Sequence, residues 1–136
     1  MIQIETTSHD PFFNQAFEDY VFRTYREGDV LLLWRNRPAV VVGCYQNICR
    51  EVHMRALLDR GIPVVRRMSG GGTVYHDLGN LNYTLISDQT GPLDYNRCLE
   101  PVIRALNALG VPAHKNRTCD IAVDGKKISG SAQKIA

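Results

Sequence analysis

Two adjacent arginines lead into three adjacent glycines in the run VVRRMSGGGTVYHDLGN, which spans Val64 to Asn80. Residues without a Cβ adopt positive φ angles and let backbone N–H groups converge on an anion. An arginine guanidinium is a planar fork that binds paired carboxylate or phosphate oxygens. The run is therefore a candidate loop for binding a phosphate or a carboxylate, and a flexible tight turn between solvated arginines is the alternative.

Only one of the two arginines is expected to line such a loop. Successive side chains of a strand point to opposite faces, and Arg67 is nearer to the glycines than Arg66. We therefore predict that Arg67 contacts the anion. The run matches neither the phosphate loop that ends in Gly-Lys-Ser/Thr nor the Gly-x-Gly-x-x-Gly fingerprint, so an ordinary nucleotide-binding fold is not predicted.

A second polar group is predicted in the C-terminal run CDIAVDGKKISGSAQ. Asp124-Gly125 is typical of a type I′ hairpin turn. This turn predicts four cross-strand pairs: Val123 with Lys126, Ala122 with Lys127, Ile121 with Ile128, and Asp120 with Ser129. Asp120 and Lys127 then share one polar face. The lysine can neutralise a carboxylate that attacks a phosphate, and the acid can hold magnesium; a solvated surface pair is the alternative.

Short strands and helices alternate around these two runs. A strand is predicted in MIQIE, and Asp10 is predicted to cap a helix that begins at Pro11 and ends before Gly28. The apolar stripe of this helix, predicted to pack on a sheet, comprises Phe13, Ala16, Phe17, Tyr20 and Val21. The runs DVLLLWRN and AVVVGCY are predicted to be paired strands with a turn at Pro38.

The alternation continues through the rest of the chain. A helix is predicted from Glu51 to Arg60, ended by Gly61 and followed by a buried strand, IPVVRR. NLNYTLIS is predicted to be a strand, and YNRCLEPVIRALNALG a helix interrupted or restarted at Pro101. The mixture predicts an α/β or α+β fold: a mixed, largely antiparallel sheet with flanking helices and functional loops at one strand end.

Length and charge exclude several classes of protein. The 136 residues suit one domain, and a formal charge of +2 gives no broad electrostatic footprint for nucleic acid. No apolar run approaches the roughly 20 residues of a membrane helix, and the first residues lack the pattern of a secretion signal. The four cysteines have no disulfide-framework spacing. We expect a soluble cytoplasmic protein with reduced thiols.

Four blocks of the sequence resemble the lipoate-protein ligases, relatives of the biotin-protein ligases. The blocks are FFNQAFEDYV, PAVVVGCYQN, RRMSGGGTVYHDLGNLNYT and DGKKISGSAQ. The resemblance implies that residues 1–136 are the N-terminal portion of a biotin/lipoate-protein-ligase-like catalytic domain. It also implies that lipoate reacts with ATP to give lipoyl-adenylate and pyrophosphate. The acyl group would then move to a lysine on the lipoyl domain of a 2-oxoacid dehydrogenase or on the glycine-cleavage H protein.

The resemblance also implies roles for individual residues. Lys127 looks like the catalytic group that touches the lipoate carboxylate and the α-phosphate, and Asp120 resembles the acid near magnesium and the nucleotide. The residues implied to bind ATP and the lipoyl-adenylate are Arg67, Ser69, Gly70, Gly71, Gly72, Thr73, Val74, Tyr75, His76, Asp77, Asp120 and Lys127. Because water consumes an exposed acyl-adenylate, the glycines and the segment from Ile86 to Asp94 are candidates for a covering loop.

Two departures from the family pattern leave alternatives open. Cys119 stands where the family usually has Asn, and strand alternation predicts that it is a packed thiol. The chain stops one strand after Lys127, so we expect a fragment or a second chain that completes the fold. One alternative is an ATP-independent octanoyl or lipoyl transferase that uses Cys44, Cys98 or Cys119 as nucleophile. Another is a noncatalytic half that needs a complementary chain. The choice between lipoate, octanoate and biotin stays open.

Overall fold

The computed structural model describes residues 1–88, 91–92 and 94–136. The predicted covering segment from Ile86 to Asp94 lies partly outside the described residues. Among the helices that are described, none is long and apolar enough to cross a membrane.

The chain divides into two compact units. The first comprises Met1–Asp88 with Gln133–Ala136, and the second comprises Gln89–Ala132. Each has its own cluster of buried apolar side chains. The members are Val21, Val30, Leu32 and Trp34 in the first unit, and Leu99, Ala113 and Ile121 in the second.

The first unit is built from two three-stranded sheets with helices. Its elements in the described residues are β1 (Ile2–Glu5), α1 (Pro11–Thr24), β2 (Val30–Trp34), β3 (Ala39–Val42), α2 (Ile48–Glu51), α3 (Met54–Asp59), β4 (Val64–Arg66), β5 (Val74–His76) and β6 (Asn82–Ile86). One sheet has the order β1-β2-β6 and the other β4-β3-β5. In each, one pair is parallel and one antiparallel, so the predicted mixed α+β class is confirmed.

The predicted pairing of DVLLLWRN with AVVVGCY is wrong. The first run forms β2, which pairs with β1 and β6, whereas the second forms β3, which pairs with β4 and β5. The segment between them is not a hairpin turn at Pro38, because Asn36 is fully buried and contacts Asn14 and His76. Two apolar runs close in sequence resemble a hairpin, but this buried side chain directs them into different sheets.

Helix α1 begins as predicted and ends earlier. Asp10 Oδ1 accepts the N–H of Phe12 at 2.9 Å, and Pro11 is the first helical residue. An N-cap acceptor and a proline at the first position both satisfy the start of a helix. The helix ends at Thr24, before the predicted terminator Gly28.

The face that α1 buries differs from the predicted stripe. Phe17 and Val21 pack in the first cluster as expected. The prediction is wrong for the other three members, Phe13, Ala16 and Tyr20, which are exposed. Asn14 and Gln15 are buried in their place. Asn14 makes hydrogen bonds to residues outside the helix, and such tertiary contacts override the apolar periodicity of the sequence.

The predicted helix from Glu51 to Arg60 is wrong in its start: α2 ends at Glu51, and α3 begins at Met54 after Val52 and His53. The cause is a new helix start: His53 Nδ1 accepts the N–H of Ala56 at 3.3 Å, as an N-cap does. The predicted terminator is confirmed, since Gly61 has a φ of 63°, the left-handed conformation that favours glycine after a helix.

The second unit consists of a helix and a three-stranded antiparallel sheet. Its elements in the described residues are α4 (Tyr95–Ala108), β7 (His114–Lys115), β8 (Ile121–Val123) and β9 (Lys126–Ser129), with strand order β7-β8-β9. The predicted interruption at Pro101 is wrong, because α4 continues through this residue. Leu99, Val102 and Ile103 pack on both sides of it in the second cluster, and this burial outweighs the lost hydrogen bond.

The predicted hairpin turn is confirmed. Asp124 and Gly125 have φ values of 49° and 73°, both positive as a type I′ turn requires. Two of the predicted pairs are present, namely Val123 with Lys126 and Ala122 with Lys127. The turn therefore fixes the register near its own end.

The register changes beyond those two pairs. A bulge between Ile121 and Ala122 pairs Ile121 with Ser129, so the predicted pairs of Ile121 with Ile128 and of Asp120 with Ser129 are wrong. The extra residue leaves Ile128 half exposed while Ile121 is fully buried. A bulge inserts one residue into one strand and shifts every later pair.

Candidate functional site

Arg67 holds the glycine loop, residues 70–72, by its backbone carbonyls. Nη2 donates to Gly70 O and to Gly72 O, both at 2.7 Å, and Nε donates to Gly70 O at 3.2 Å. Nη1 donates to Val41 O at 3.3 Å. In the described part of the chain, the three N–H groups of this loop donate to no backbone carbonyl. The guanidinium thus binds the loop through its acceptors and leaves its donors free.

Two close approaches require glycine here. A Cβ on Gly43, at the end of β3, would lie 2.1 Å from the carbonyl oxygen of Gly71. Gly71 itself has a φ of 91°, and its Cβ would lie 3.0 Å from Arg67 Nη2. By contrast, a Cβ on Gly70 or Gly72 would meet nothing within 4 Å. One side of the loop is packed, and the other is open.

Arg66 holds the loop after β3, and Gln46 joins this loop to Thr73, which follows the glycine loop; neither role was predicted. Arg66 Nη1 donates to the carbonyl oxygens of Gly43 and Gln46, each at 2.8 Å. Gln46 Oε1 accepts the N–H of Gly43 and the hydroxyl of Thr73, also at 2.8 Å. The two adjacent arginines therefore bind different loops, as opposite strand faces lead one to expect.

The other residues of the predicted loop site take varied positions. The carbonyl of Ser69 accepts the N–H of Cys44 at 2.9 Å. Val74 and Tyr75 lie in β5, with side chains about half exposed. Asp77 Oδ1 accepts a backbone N–H at 2.9 Å from the turn that follows. Strand β5 thus offers apolar side chains beside the glycine loop, and Asp77 stabilises the turn after it.

Glu18 is a partly buried acid that sequence reasoning missed. Its Oε1 accepts the Thr84 hydroxyl at 2.6 Å, and Trp34 Nε1 donates to the same hydroxyl at 3.4 Å. Burial raises the pKa of Glu18, opposed by the Thr84 hydrogen bond and by the charge of Arg67. Burial lowers the pKa of Arg67, and the Glu18 charge opposes that shift. Each charge makes the burial of the other less costly.

His76 lies at the end of β5 with only 9% of its surface exposed. Its Nδ1 is 3.2 Å from Asn36 Nδ2, and its ring meets Trp34 edge to face at 5.9 Å between centroids. Burial lowers the pKa of His76, and the positive charge of Arg67 lowers it further, whereas Asp77 opposes both. Burial and the Arg67 charge thus both favour the neutral imidazole over the imidazolium.

In the second unit, Lys127 and Asp120 form an ion pair. Lys127 Nζ lies 3.1 Å from Asp120 Oδ1, with the lysine side chain 56% exposed and the aspartate 14%. Burial acts to raise the pKa of Asp120, but hydrogen bonds from Thr118 and Lys127 and the lysine charge hold it below its usual value. A Cβ on Gly130 would lie 3.1 Å from Lys127 Nζ, so the absence of a side chain at Gly130 leaves room for the lysine.

The four cysteines are free thiols. Cys119 packs against the second cluster, in agreement with the predicted packed thiol. Cys44 and Cys98 are also partly buried, and Cys49 is exposed. Within residues 1–88, 91–92 and 94–136, no group of three or more His, Cys, Asp or Glu side chains could hold a metal ion. A magnesium ion at Asp120 would need oxygen ligands from the substrate.

Residues 10–136 match the family model of the lipoyl protein ligase A/B catalytic domain. The lipoate-protein ligase LplJ of Bacillus subtilis is 45% identical over 128 residues, which are 92% of this chain and 39% of that protein. The mitochondrial lipoyl amidotransferase of Mus musculus is 40% identical over 137 residues, which are 97% of this chain and 36% of that protein. The chain thus spans less than two fifths of the length of these curated relatives.

Solved structures share the fold. P. falciparum LipL1 in complex with lipoate has a TM-score of 0.90 at 28% identity, covering 99% of this chain and 44% of that one. Lipoate-protein ligase A bound with ATP has a TM-score of 0.85 at 26% identity, covering 100% and 60%. A bi-partite lipoate protein ligase with its E2 lipoyl domain, from Thermoplasma acidophilum, has a TM-score of 0.85 at 27% identity, covering 98% and 55%.

Proposed function

Because the chain belongs to the family of lipoyl protein ligase A/B catalytic domains, we propose that it activates lipoate with ATP. The lipoate carboxylate attacks the α-phosphorus, the bond to the pyrophosphate oxygen breaks, and lipoyl-AMP and pyrophosphate form. A lysine amine of a carrier domain then attacks the acyl carbon, loses a proton and releases AMP. We propose a cytoplasmic location as well, because ATP is an intracellular substrate.

The glycine loop is the observation that carries this proposal. Arg67 binds the carbonyls of Gly70 and Gly72 at 2.7 Å, while the N–H groups of the loop have no backbone acceptor among the described residues. Free N–H groups beside a guanidinium favour a phosphate or a carboxylate. The open space beside Gly70 and Gly72 would admit it. ATP therefore fits the chemistry of this loop.

Residues near the glycine loop are proposed to complete the nucleotide and acyl site. Ser69, Thr73 and Asp77 contribute polar groups, and the half-exposed side chains of Val74 and Tyr75 offer apolar contact to the adenylate. His76 is the buried polar residue of this strand. An acyl-adenylate bound here would have to be covered to be protected from water.

Lys127 and Asp120 are proposed to act on the charges of the reaction. The Lys127 ammonium stabilises the negative charge that develops around the α-phosphate when the carboxylate attacks. The low pKa of Asp120 keeps this carboxylate ionised and available as a magnesium ligand. Mg²⁺ usually binds one or two carboxylates together with substrate phosphates, and when bound it would offset phosphate charge.

The proposed partners are lipoyl domains of 2-oxoacid dehydrogenases or the glycine-cleavage H protein. Support comes from the relatives: one solved neighbour is a bi-partite ligase studied with its E2 lipoyl domain. The same neighbour supports the further proposal that a second polypeptide completes the ligase.

The proposal is tested by lipoate-dependent exchange of labelled pyrophosphate into ATP, with octanoate and biotin as comparison acids. Exchange with lipoate supports adenylate formation by this chain. If exchange requires an added polypeptide that corresponds to the rest of a longer relative, the noncatalytic-half alternative is favoured instead.

An ATP-independent transferase is the second candidate, favoured by the 40% identity to a lipoyl amidotransferase. In such an enzyme, a cysteine thiolate such as Cys44, Cys98 or Cys119 would accept the acyl group from a carrier. Acyl transfer between carrier domains without ATP, abolished by one Cys→Ser substitution, would identify it. Packing of Cys119 in the second cluster disfavours that residue as the nucleophile.

A further inference from the structure

Three buried polar residues form a hydrogen-bonded chain in the first unit. Asn14 lies on α1, Asn36 lies between β2 and β3, and His76 ends β5; their exposed fractions are 1%, 0% and 9%. Asn14 Nδ2 lies 2.9 Å from Asn36 Oδ1, and Asn36 Nδ2 lies 3.2 Å from His76 Nδ1. Buried amides of this kind are fixed by their partners, so their orientations can be worked out in order.

The orientation of Asn14 is set by the backbone. Its amide nitrogen lies 3.0 Å from the carbonyl oxygens of both Ser8 and Arg35, and carbonyls can only accept. Its Oδ1 meanwhile accepts the hydroxyl of Thr6 at 3.3 Å. The exchanged orientation would place an oxygen against two oxygens. The nitrogen has two hydrogens for these two carbonyls and for Asn36 Oδ1, so at least one hydrogen is shared between two acceptors. Because this nitrogen cannot accept, the atom of Asn36 that faces it has to be the oxygen.

The orientation of Asn36 decides which ring nitrogen of His76 carries the proton. Asn36 must meet the Asn14 donor with its oxygen, which leaves its Nδ2 facing the imidazole. An amide nitrogen can only donate, so His76 Nδ1 has to accept and cannot carry a proton. In a neutral imidazole with an unprotonated Nδ1, the proton is on Nε2. No protein partner for Nε2 is present among the described residues.

We propose that Asn14 and Asn36 are positioning residues that lock His76 as the neutral Nε2–H tautomer, so that it offers a hydrogen-bond donor to an oxygen of the bound acyl phosphate. The second half of this statement rests on the proposed function, and the tautomer does not. In this form His76 stabilises an oxygen that gains negative charge, and it is excluded as the general base for the carrier amine.

The surroundings of His76 support a fixed protonation state. Burial and the Arg67 charge both disfavour the imidazolium, with Asp77 as the opposing charge. The indole of Trp34 packs edge to face against the ring. A second proton would also have to sit on Nδ1, directly against the Asn36 amide. The donor on Nε2 is therefore expected to be independent of pH across the physiological range.

The test is ¹⁵N NMR of the histidine rings of the whole chain, with the His76 signals identified by their loss in His76→Gln. The other histidines, which serve as internal controls, are His9, His53 and His114. Between about pH 6 and 8, we expect His76 Nε2 to stay protonated and His76 Nδ1 to stay unprotonated. A protonated Nδ1 or a titrating His76 would overturn the proposal.

Asn36→Asp is the matched variant, because it keeps the shape and replaces the donor with an acceptor. It should move the proton of His76 to Nδ1 and raise the pKa of the ring. An unchanged Nε2–H tautomer in this variant would contradict the relay. Lipoate-dependent exchange should fall by about a hundredfold, mainly through kcat, because removing one donor to an oxygen that gains negative charge has an effect of this size. Absence of exchange in the wild type together with an Nε2–H tautomer would refute only the proposed function.

Discussion

Gln46 and Thr73 are joined by a hydrogen bond of 2.8 Å between Oε1 and Oγ1, which ties the loop after β3 to the start of β5. The same oxygen accepts the N–H of Gly43, and Arg66 holds the Gln46 carbonyl. The glycine loop is therefore held at two places. Arg67 binds the carbonyls of Gly70 and Gly72, and Gln46 binds Thr73, the next residue after the loop.

Gln46→Met should loosen the glycine loop. Methionine has a similar length and no amide oxygen, so the N–H of Gly43 loses its acceptor, at a cost of about 1–3 kcal/mol in the free energy of unfolding. The KM for ATP should rise more than kcat falls. Urea unfolding and exchange kinetics measure the two effects. Gln46→Glu is the control, because it keeps an acceptor for both donors, and equal losses in the two variants would contradict this role.

Gly43→Ala should disrupt the packing between β3 and the glycine loop. The added methyl would lie 2.1 Å from the carbonyl oxygen of Gly71, so the backbone has to move, at a cost of about 1–3 kcal/mol. Gly72→Ala is the stability control, because its methyl meets nothing within 4 Å. Thermal unfolding of both variants compares them, and a similar melting temperature for the two would show that the close approach is absent.

Local signals predicted one helix start and one hairpin turn, and distant contacts decided which faces the elements bury. Asp10 with Pro11 and Asp124 with Gly125 place a helix start and a turn correctly, because each signal acts within four residues. The polar face of α1 and the role of Gln46 could not be predicted in this way. Both depend on partners in other elements, such as Asn36 at 2.9 Å from Asn14.

The site shows the same division. The position of Arg67 at the glycine loop and the closeness of Lys127 to Asp120 were predicted from residue type and spacing, because strand alternation and hairpin pairing are local. Glu18 gave no signal, since a single acid in an amphipathic helix usually faces solvent. Its burial depends on Thr84, 66 positions later in the chain.

Glu18→Gln should change how stability depends on pH. Because burial raises the pKa of Glu18 above 4.5, the folded chain binds this proton more tightly than the unfolded chain does. The contribution of Glu18 is therefore fully present below the unfolded pKa and is lost as pH rises through the folded pKa. Glutamine keeps an oxygen that accepts the Thr84 hydroxyl, and it does not titrate. Urea unfolding measures the free energy of unfolding at acidic and at neutral pH. From acidic to neutral pH this free energy should fall more for the wild type than for Glu18→Gln, and an equal fall in both would contradict the raised pKa of Glu18.

Asp120→Asn should raise the magnesium concentration needed for half-maximal exchange. Loss of a charged oxygen ligand removes about 1.5–3 kcal/mol of binding, equivalent to an increase of at least about tenfold. Asp124→Asn is the control, since Asn-Gly forms the same type I′ turn. Exchange is measured against magnesium concentration for the wild type and both variants. A midpoint for Asp120→Asn equal to that of the wild type would contradict the proposal that Asp120 binds magnesium.

The most direct measurement is lipoate-dependent ATP–pyrophosphate exchange by the wild type, Lys127→Ala and Lys126→Ala. Lys126 is the matched control, because it is the neighbouring exposed lysine in the same strand. We predict exchange in the wild type, near-wild-type exchange in Lys126→Ala, and a loss of at least about a hundredfold in Lys127→Ala. Undiminished exchange in Lys127→Ala, or acyl transfer by the wild type that needs no ATP, would contradict the account.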